Sequence, residues 1–374
     1  MGIQTFTFSP GLTQAFVRFG YDHYRDDPQW IPPFEDELLA QLSPEFNFHR
    51  TTGNNHMNFL ATAGNKVVGR VSAMVNRELK DRDGQAVGTI GFFESVNDYA
   101  VAKQLLEHAT GWLVREQKIK RIWGPMNFDI WHGYRLMTRG FERKPFYGEP
   151  YNKPYYAEFF EHYGFTPKQH WHTFEISGHA ELQHLTRTES SRFSALTAQG
   201  YRFPAIDLAR YRDELRKLHS VLSRSFAGFL GFTMLSSAEF ERLFLPMRHA
   251  VHPRLFLFAY DPAGHLCGFA VALREVSAAI RAMRGRNDWI ARARFLYHRC
   301  CAHRINFYLI GKTPERYRSD LGRALFSRVV KAALDQRYQS ALFSLVARGN
   351  PSRNLLRNVA ADESREYILY ELNR

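Results

Sequence analysis

The hydrophobic pattern of the first half of the chain predicts repeated changes between strands and helices. Alternating apolar residues predict strands at 57–63 and 67–76, and the Gly64-Asn65 turn between them predicts a hairpin. Apolar residues three and four positions apart predict a long helix at 100–118. The other predicted elements are a strand at 3–9, a helix that begins at Pro10, a helix at 34–42, strands at 88–94 and 121–124, a helix at 155–163 and a strand at 172–176.

A polar helix at 178–199 is predicted to connect this half to a second half with the same order of elements. The predicted elements there are a strand at 201–206, helices at 212–226 and 238–247, a hairpin of strands 255–260 and 267–273, a strand at 305–311, a helix at 321–336, a strand at 340–346, a helix at 350–358 and a strand at 366–372. This repeat, in a chain of 374 residues, predicts two domains at 1–178 and 200–374, joined by 179–199.

One segment of the first half, 126–154, has no hydrophobic period. It is longer than most loops, and loops of that length are usually functional when they are not linkers. Its density of aromatic and hydrogen-bonding groups is typical of a pocket lining, so we predict that it binds substrate. The candidate substrate-binding residues are Asn127, Trp131, Tyr134, Tyr147, Tyr151 and Asn152.

The composition is that of a globular protein with an excess of positive charge. Hydrophobic residues make up 45% and charged residues 23% of the chain, so both halves can bury a core. The 50 Lys and Arg residues exceed the 37 acids and give a net charge of +13, which attracts anions such as CoA phosphates, an acyl-carrier protein or RNA. Arginines are concentrated in 281–304, although a solvated helix face explains this concentration equally well.

Several classes of protein do not fit this sequence. No apolar run reaches the length of a spanning helix and no leader pattern is present, so we predict a cytoplasmic protein without membrane insertion. Cys267, Cys300 and Cys301 suit neither a disulfide framework nor a zinc site, and we predict no metal. A nucleophile elbow, a His-Glu-x-x-His motif and a Walker loop are also missing.

The order of the predicted elements resembles that of the GNAT superfamily of acyl-CoA N-acyltransferases. Over about residues 20–176 the chain also resembles a bacterial family of GNAT-like proteins with paired domains. The motifs that carry this second resemblance are Asp27-Pro28-Gln29-Trp30-Ile31-Pro32-Pro33, Phe59-Leu60-Ala61, Val68-Gly69-Arg70-Val71, Gly91-Phe92-Phe93-Glu94, Gly124-Pro125, Tyr151-Asn152-Lys153-Pro154-Tyr155-Tyr156 and Gly164-Phe165. The resemblance implies a mixed α/β fold of two tandem GNAT-like domains, each a mostly antiparallel mixed sheet flanked by helices.

The resemblance also implies an acyl donor that is a CoA thioester (acyl-CoA) or another phosphopantetheine thioester. In such proteins a Gln/Arg-x-x-Gly-x-Gly/Ala turn presents backbone N–H groups to the pyrophosphate at the start of a helix. The first-half segment 94–99 has no glycine and two acids, so we expect no pyrophosphate there. The second half fits better, although Ser319 stands where Gln or Arg is expected and an ordinary capped helix start stays possible. The candidate cofactor-binding residues are Arg316, Arg318, Gly322, Arg323, Ala324 and Asn350.

Amine acylation needs a group that removes a proton from the attacking nitrogen and a group that protonates the leaving thiolate. The candidate catalytic residues for the first role are Glu94, Glu149 and His132, although Glu94 could instead cap the next helix and a lone histidine is more often structural. The resemblance implies a tyrosine proton donor seven residues past Asn350, where this chain has Arg357. Tyr367 and Tyr370 on the last predicted strand are the alternatives.

These observations favour an acyltransferase that moves an acyl group from acyl-CoA, or from an acyl-carrier protein, to the amine of a small molecule. The second half is expected to bind the donor and the first half to shape the acceptor pocket. One alternative is a Fem-type enzyme that takes an aminoacyl group from tRNA, which the positive charge also fits. Another is an acyl-CoA-binding protein without catalytic activity, because a fold does not fix a function.

Overall fold

The computed structural model describes residues 1–300, 302–356 and 359–374, except the side chains of 188–190. Helix α1 begins at Pro10, where the missing N–H of proline costs no hydrogen bond. The elements of the first half are β1 (Gly2–Phe6), α1 (Pro10–His23), α2 (Glu35–Leu42), α3 (Asn47–Arg50), β2 (Asn55–Ala63), β3 (Lys66–Lys80), β4 (Ala86–Ser95), α4 (Tyr99–Arg115), β5 (Arg121–Gly124), β6 (Leu136–Arg139), α5 (Tyr156–Tyr163) and β7 (Thr166–Ser177).

Helix α6 (His179–Ala198) connects the halves, as predicted for 178–199. The elements of the second half are α7 (Tyr211–Phe226), α8 (Ser237–Phe244), β8 (Val251–Tyr260), β9 (Leu266–Arg274), α9 (Ser277–Met283), α10 (Trp289–Arg299), β10 (Arg304–Lys312), α11 (Leu321–Asp335), β11 (Ser340–Ala347) and β12 (Asp362–Asn373). Short 3-10 segments follow or precede several of these elements, including Pro314–Arg316 before α11 and Pro351–Leu356 after β11.

The strands form one sheet in the order β1-β2-β3-β4-β5-β12-β7-β11-β10-β9-β8, and β6 pairs with β12. Two neighbouring pairs, β4–β5 and β10–β11, are parallel and the other pairs are antiparallel. The predicted mixed, mostly antiparallel fold is therefore confirmed. The final strand of each half lies beside the other half, since β12 pairs with β5 and β7 pairs with β11. The boundaries 1–178 and 200–374 stay a prediction.

A long amphipathic helix covers the sheet in each half. In the first half, α4 buries Leu105 and Leu113 in a core formed with β2, β3 and α5. In the second half, α11 buries Leu325 and Val329 in a core formed with β8, β9 and α6. Leu105 and Leu113 are eight positions apart, and Leu325 and Val329 are four positions apart. Residues at these spacings lie on the same side of a helix, as the hydrophobic pattern predicts.

A few predicted elements differ from the observed ones. The strand predicted at 201–206 is reduced to two isolated bridges, because Pro204 between them has no N–H to donate to a ladder. The helix predicted at 350–358 is the 3-10 segment Pro351–Leu356, and 357–358 lie outside the described residues. Strand β7 begins at Thr166, six residues before the predicted start, and β6 lies within the loop that was predicted to lack strands.

Candidate functional site

Each half contains a gap between two parallel strands that separate along their length. The pairing of β4 with β5 ends at Thr89 and Trp123, and the pairing of β10 with β11 ends at Phe307 and Phe343. The strands are irregular beyond these points: the register of β10 shifts after Phe307, and Phe92 in β4 and Leu345 in β11 have a positive φ. Such bulges bend a strand away from its neighbour.

The first-half gap is closed by the chain itself. The backbone N–H of Met126 donates to the Ile90 carbonyl at 2.8 Å, and the N–H of Phe92 donates to Asn127 Oδ1 at 2.8 Å. The loop packs so closely on Gly91 that a Cβ there would lie 2.5 Å from Asn127 Oδ1, so only glycine fits. At the start of α4, the Asp98 side chain accepts from the Ala100 N–H. This half therefore offers neither an open gap nor a free, uncharged helix start.

The second-half gap is different, because no loop hydrogen bond of this kind crosses it within the described residues. The bulge in β10 directs two successive side chains, Tyr308 and Leu309, to the same face of the sheet. A very small apolar cavity of about 10 Å³ adjoins both side chains. The other residues that line this cavity are Tyr211, Leu215, Leu218, Phe244, Met247, Val251, Phe256, Val271 and Leu273.

Glu149 lies in a buried polar cluster beside the second-half gap. Its carboxylate accepts hydrogen bonds from the Tyr367 hydroxyl and from the Phe146 N–H at 3.1 Å, and Arg365 Nε lies 2.9 Å from Oε1. Burial raises the pKa of Glu149 to about 7, although the Arg365 charge opposes this shift. Thr173 Oγ1 donates to the Tyr367 hydroxyl at 3.5 Å and accepts from the Leu345 N–H at 3.2 Å. The cluster thus extends to the edge of β11.

Arg135 follows Tyr134 in the same loop and is 8% exposed. Its guanidinium carbon lies 3.8 Å from the centre of the Tyr134 ring and 4.4 Å from that of Trp171. Within the described part of the chain, its Nε and Nη1 have no hydrogen-bond partner and no carboxylate forms an ion pair with it. Burial lowers the pKa of Arg135, while the phenols of Tyr134, Tyr367 and Tyr308 act on it in the opposite direction. A buried cation without an anion is costly, so an anionic group would be stabilised here.

Neither Arg135 nor Tyr308 can be recognised as a site residue from the sequence. The only sequence signal for Arg135 is a charged residue next to a predicted pocket tyrosine, and Tyr308 is one of several aromatics in a strand. The roles considered for Arg135 and Tyr308 depend on the gap between β10 and β11. This gap forms only when segments that are distant in sequence come into contact.

Glu94, the first candidate base, lies at the end of β4 in a second buried cluster. Its Oε2 accepts from the hydroxyls of Tyr24 at 2.9 Å and Tyr156 at 2.7 Å, and Arg70 Nη2 lies 3.8 Å from Oε1. Burial raises the pKa of Glu94 even though Arg70 opposes the shift. His23 Nε2 lies 3.1 Å from the Tyr156 hydroxyl, and burial lowers its pKa to about 4. Arg70, Glu94 and Tyr156 belong to three different motifs of the family resemblance, and the fold brings them together in this one cluster.

Most of the loop residues proposed to bind substrate make hydrogen bonds within the protein. Trp131 Nε1 donates to the Thr233 carbonyl at 2.9 Å, and the Tyr147 N–H donates to Glu275 Oε1 at 3.1 Å. Tyr151 donates to Asp27, and Asn152 bonds both backbone groups of Met137. His132 Nδ1 lies 2.8 Å from Asp129 Oδ1 and is packed against Phe46 and Phe128. Together with Asn127, these contacts hold the loop in place, and Tyr134 is the member that lies against Arg135.

The candidate cofactor residues are spread around the start of α11. Arg316 pairs with Asp261 at 2.9 Å, and Ala324 is buried in the core. Arg318 is exposed and Arg323 half-buried, and a Cβ on Gly322 would meet no atom within 4 Å, so this turn of the helix is open. Asn350 lies apart from it, where its Oδ1 accepts from the Ser352 N–H and it lines an open groove of about 580 Å³.

Two further properties bear on the kinds of site the chain can form. Among the described residues, no group of three or more His, Cys, Asp or Glu side chains is arranged to hold a metal ion. In that same part of the chain, no helix is both long and apolar enough to cross a bilayer.

Two curated proteins resemble this sequence along nearly its whole length, while no family model matches it. Protein YghO of Escherichia coli is 24% identical over 375 residues, which cover 96% of this chain and 92% of that protein. The bacterial ceramide synthase of Caulobacter vibrioides is 24% identical over 371 residues, which cover 97% of this chain and 95% of that enzyme.

Solved structures with the same fold also match along the whole chain. A tandem GNAT protein from the clavulanic acid biosynthesis pathway is 10% identical, with a TM-score of 0.54 over 100% of this chain and 98% of its own. A GCN5-related N-acetyltransferase from Sphaerobacter thermophilus is also 10% identical, with a TM-score of 0.50 over 99% of this chain and 95% of its own. Similarity at this level of identity shows the fold. The chain therefore has the fold of the tandem GNAT proteins from end to end.

Proposed function

We propose that this chain is a GNAT-type N-acyltransferase, which takes an acyl group from a CoA or carrier-protein thioester and transfers it to an amine. The observation that carries the proposal is the difference between the two gaps. The chain's own loop closes the gap between β4 and β5, whereas no described loop crosses the gap between β10 and β11. We therefore assign a thioester arm to the second gap, between β10 and β11.

The start of α11 is suited to the phosphates of such a donor. Its N–H groups and the positive end of its dipole favour anions, and Arg318 and Arg323 add positive charge. Gly322 leaves the backbone open to close approach. Asp320 opposes an anion at this point, but Arg192 lies 2.6 Å from its carboxylate and offsets its charge. Arg316 is a weaker candidate because Asp261 already binds it.

The reaction forms a C–N bond at the thioester carbonyl and breaks the C–S bond. We assign Arg135 to the negative charge that develops on the carbonyl oxygen, because it is buried, cationic and without a carboxylate partner among the described residues. The nitrogen loses one proton, which Tyr367 would pass to Glu149, and the thiolate gains one from Tyr308. Burial raises the pKa of Tyr308 to about 12, so its hydroxyl keeps its proton at neutral pH.

The acyl group and the acceptor are proposed to be lipid-like. The small cavity beside Tyr308 and Leu309 is lined by apolar side chains and aromatic rings, and if these side chains move apart the lining suits a hydrocarbon chain rather than a polar acyl group. One relative is a ceramide synthase, and a ceramide is the amide of a fatty acid with a long-chain amino alcohol. The acceptor proposed for this chain is accordingly an amine that carries a long hydrocarbon chain.

The proposal is tested with the purified full chain, a series of acyl-CoAs from acetyl to palmitoyl, and short and long-chain amines. We expect release of free CoA thiol that depends on the amine, with the amide detected by mass spectrometry, and a preference for long acyl chains. Binding of acyl-CoA without turnover on the panel would indicate a non-catalytic binding protein instead. Salt-sensitive tRNA binding without acyl-CoA binding would support the Fem-type alternative.

A further inference from the structure

Helix α10 exposes more large apolar side chains than any other element that the structure describes. Nine large hydrophobic residues are exposed among the described residues, and four of them lie in this one helix of eleven residues. Their exposed fractions are 78% for Trp289, 42% for Ile290, 56% for Leu296 and 73% for Tyr297. Clustered apolar exposure of this kind marks an interaction surface, whereas single exposed apolar residues are common.

The exposed apolar residues form a stripe along the side of α10 that faces away from the protein. Ala291 and Phe295, four positions apart, are the buried residues that fix the helix to the core. At about 100° per residue, Trp289, Leu296 and Tyr297 fall on the opposite side of the helix. The apolar stripe is therefore directed outward, the reverse of the usual arrangement for a surface helix.

Positive charges border this stripe on both sides. On the same helical wheel, Arg292 and Arg299 lie along one edge and Arg294 along the other. No Asp or Glu occurs between Trp289 and Arg299. The nearest acid, Asp288, caps the helix through the Ala291 N–H and lies 2.7 Å from Arg286, so its charge is already offset.

We propose that α10 docks this protein on the surface of an anionic lipid bilayer. Trp289, Leu296 and Tyr297 would enter the interfacial region, and the flanking arginines would bind lipid phosphates, while the helix lies parallel to the membrane plane. Tryptophan and tyrosine are the side chains that favour this interface, and the arginines along the edges of the stripe attract the negative charge of anionic lipids. The inference concerns where the protein acts, and it does not rest on the proposed reaction.

The experiment is cosedimentation of the full chain with vesicles, in about 0.1 M salt, where charges separated by about 10 Å still interact. One vesicle set contains phosphatidylglycerol and phosphatidylethanolamine, and the other contains phosphatidylcholine alone. We expect binding to the anionic vesicles, weakened by added salt, and much weaker binding to the neutral vesicles.

Two variants separate the contributions of charge and apolar contact. Arg292→Gln with Arg294→Gln is expected to weaken vesicle binding about 25-fold, at about fivefold for each arginine near the surface. Trp289→Ser with Leu296→Ser is expected to weaken it by about tenfold or more, because the apolar anchor is lost. The altered side chains are exposed and are not in the proposed active site, and circular dichroism checks the fold.

Matched controls change similar side chains on other surfaces. Met234→Ser removes another exposed apolar group, and Arg82→Gln with Arg254→Gln removes two other exposed charges. Both controls are expected to bind vesicles like the wild type. Equal binding to both vesicle sets, no binding to either, or equal losses in the controls would each overturn the proposal. The proposal would also be overturned if the chain bound no vesicles but formed a dimer, detected by light scattering, or a complex with a carrier protein, and Trp289→Ser with Leu296→Ser abolished that association.

Discussion

Tyr367 donates a hydrogen bond to Glu149, and this contact joins the last strand of the chain to a loop of its first half. Arg365, two residues before Tyr367, reaches the same carboxylate. Only 2% of the Glu149 side chain is exposed, so its charge depends on these two partners and on the Phe146 N–H. The pKa of Glu149 is consequently raised to about 7, into the range in which a carboxyl group can gain and lose a proton near neutrality.

The first prediction is that Glu149→Gln lowers the rate of acyl transfer by about 100-fold or more, the range expected for a general base. In the wild type, the rate should rise with pH through a midpoint near 7, since the unprotonated carboxylate is the active form. Tyr367→Phe should lower the rate as well, because it breaks the proton path. The measurement is the initial rate of CoA release across a pH series.

Tyr370→Phe is the matched control for this prediction. It removes a phenol from the same strand, but one that donates to Glu161 at 2.9 Å on the other side of the sheet. Its rate and pH profile should equal those of the wild type. If Glu149→Gln keeps a normal rate and Glu94→Gln does not, the base lies in the Glu94 cluster and the assignment to Glu149 is wrong.

The same pKa shift predicts an effect of pH on stability. The pKa of Glu149 is about 7 in the folded chain and 4.5 in the unfolded one, so between these values only the folded chain holds the proton. The free energy of unfolding should therefore fall as pH rises from about 4.5 to about 7, and this part of the fall should vanish in Glu149→Gln. Urea titrations at several pH values give the free energy of unfolding at each pH. If this free energy changed with pH equally in the wild type and in Glu149→Gln, the prediction would be wrong.

Arg135→Met is predicted to lower the rate of acyl transfer about 100-fold while leaving stability unchanged or higher. Burying an unpaired charge is costly, so an apolar side chain of similar length relieves that cost. The same change removes the cation proposed to stabilise the carbonyl oxygen, which costs about 100-fold in rate. Thermal unfolding and turnover are measured on the same samples. A variant that unfolds at a much lower temperature would show that Arg135 serves the fold and not the reaction.

Gly322→Glu is predicted to weaken acyl-CoA binding by about tenfold or more, because a negative charge at the start of α11 repels phosphates. The fold should tolerate the change, since a Cβ at this position meets no atom within 4 Å. Ala100→Glu is the matched control, at the second residue of α4 as Gly322 is of α11, and at an exposed position. Calorimetry should show that only Gly322→Glu lowers the affinity for acyl-CoA. If both variants lowered the affinity equally, the phosphates would bind elsewhere.

Val271→Phe is predicted to shift the preferred acyl donor toward shorter chains, because the larger ring prevents the cavity beside Tyr308 from widening around a long chain. Overpacking of this kind costs about 1–3 kcal/mol of stability, so the comparison needs a variant with the same cost. Val71→Phe supplies it, since Val71 is buried in the first-half core and far from this cavity in the sheet. Competition between palmitoyl-CoA and acetyl-CoA gives the preference; equal shifts in both variants would rule out the cavity as the acyl site.

The sequence predicts the hairpins and the long helices well because their hydrophobic periods are regular. The β2–β3 pair, α4 and α11 all follow from such periods. The placement of β12 between β5 and β7 does not, because strand order depends on contacts between residues far apart in sequence. A repeat of element order is equally compatible with two halves that each keep their own last strand.

The candidate site was predictable only in part. The polar density of the loop at 126–154 is real, but sequence alone cannot tell whether an amide such as Asn152 bonds a ligand or the backbone of Met137. Their roles in substrate binding stay a prediction. Glu149 and Tyr367 were candidates on separate grounds, and only the fold brings them into contact. Arg135 is notable for the partner it lacks among the described residues, a property that no sequence pattern can indicate.

The position of β12 also affects how the chain must be made. Trp123 of β5 donates to Glu371 of β12, 248 positions later. The ribosome must therefore synthesise almost the entire polypeptide before the first half can complete its sheet. Until then, β5 and β7 have unpaired edges that can pair with other nascent chains. Production of either half alone would leave the same edges open. We expect the two halves to acquire protease resistance together, in one slow step governed by this long-range strand pairing.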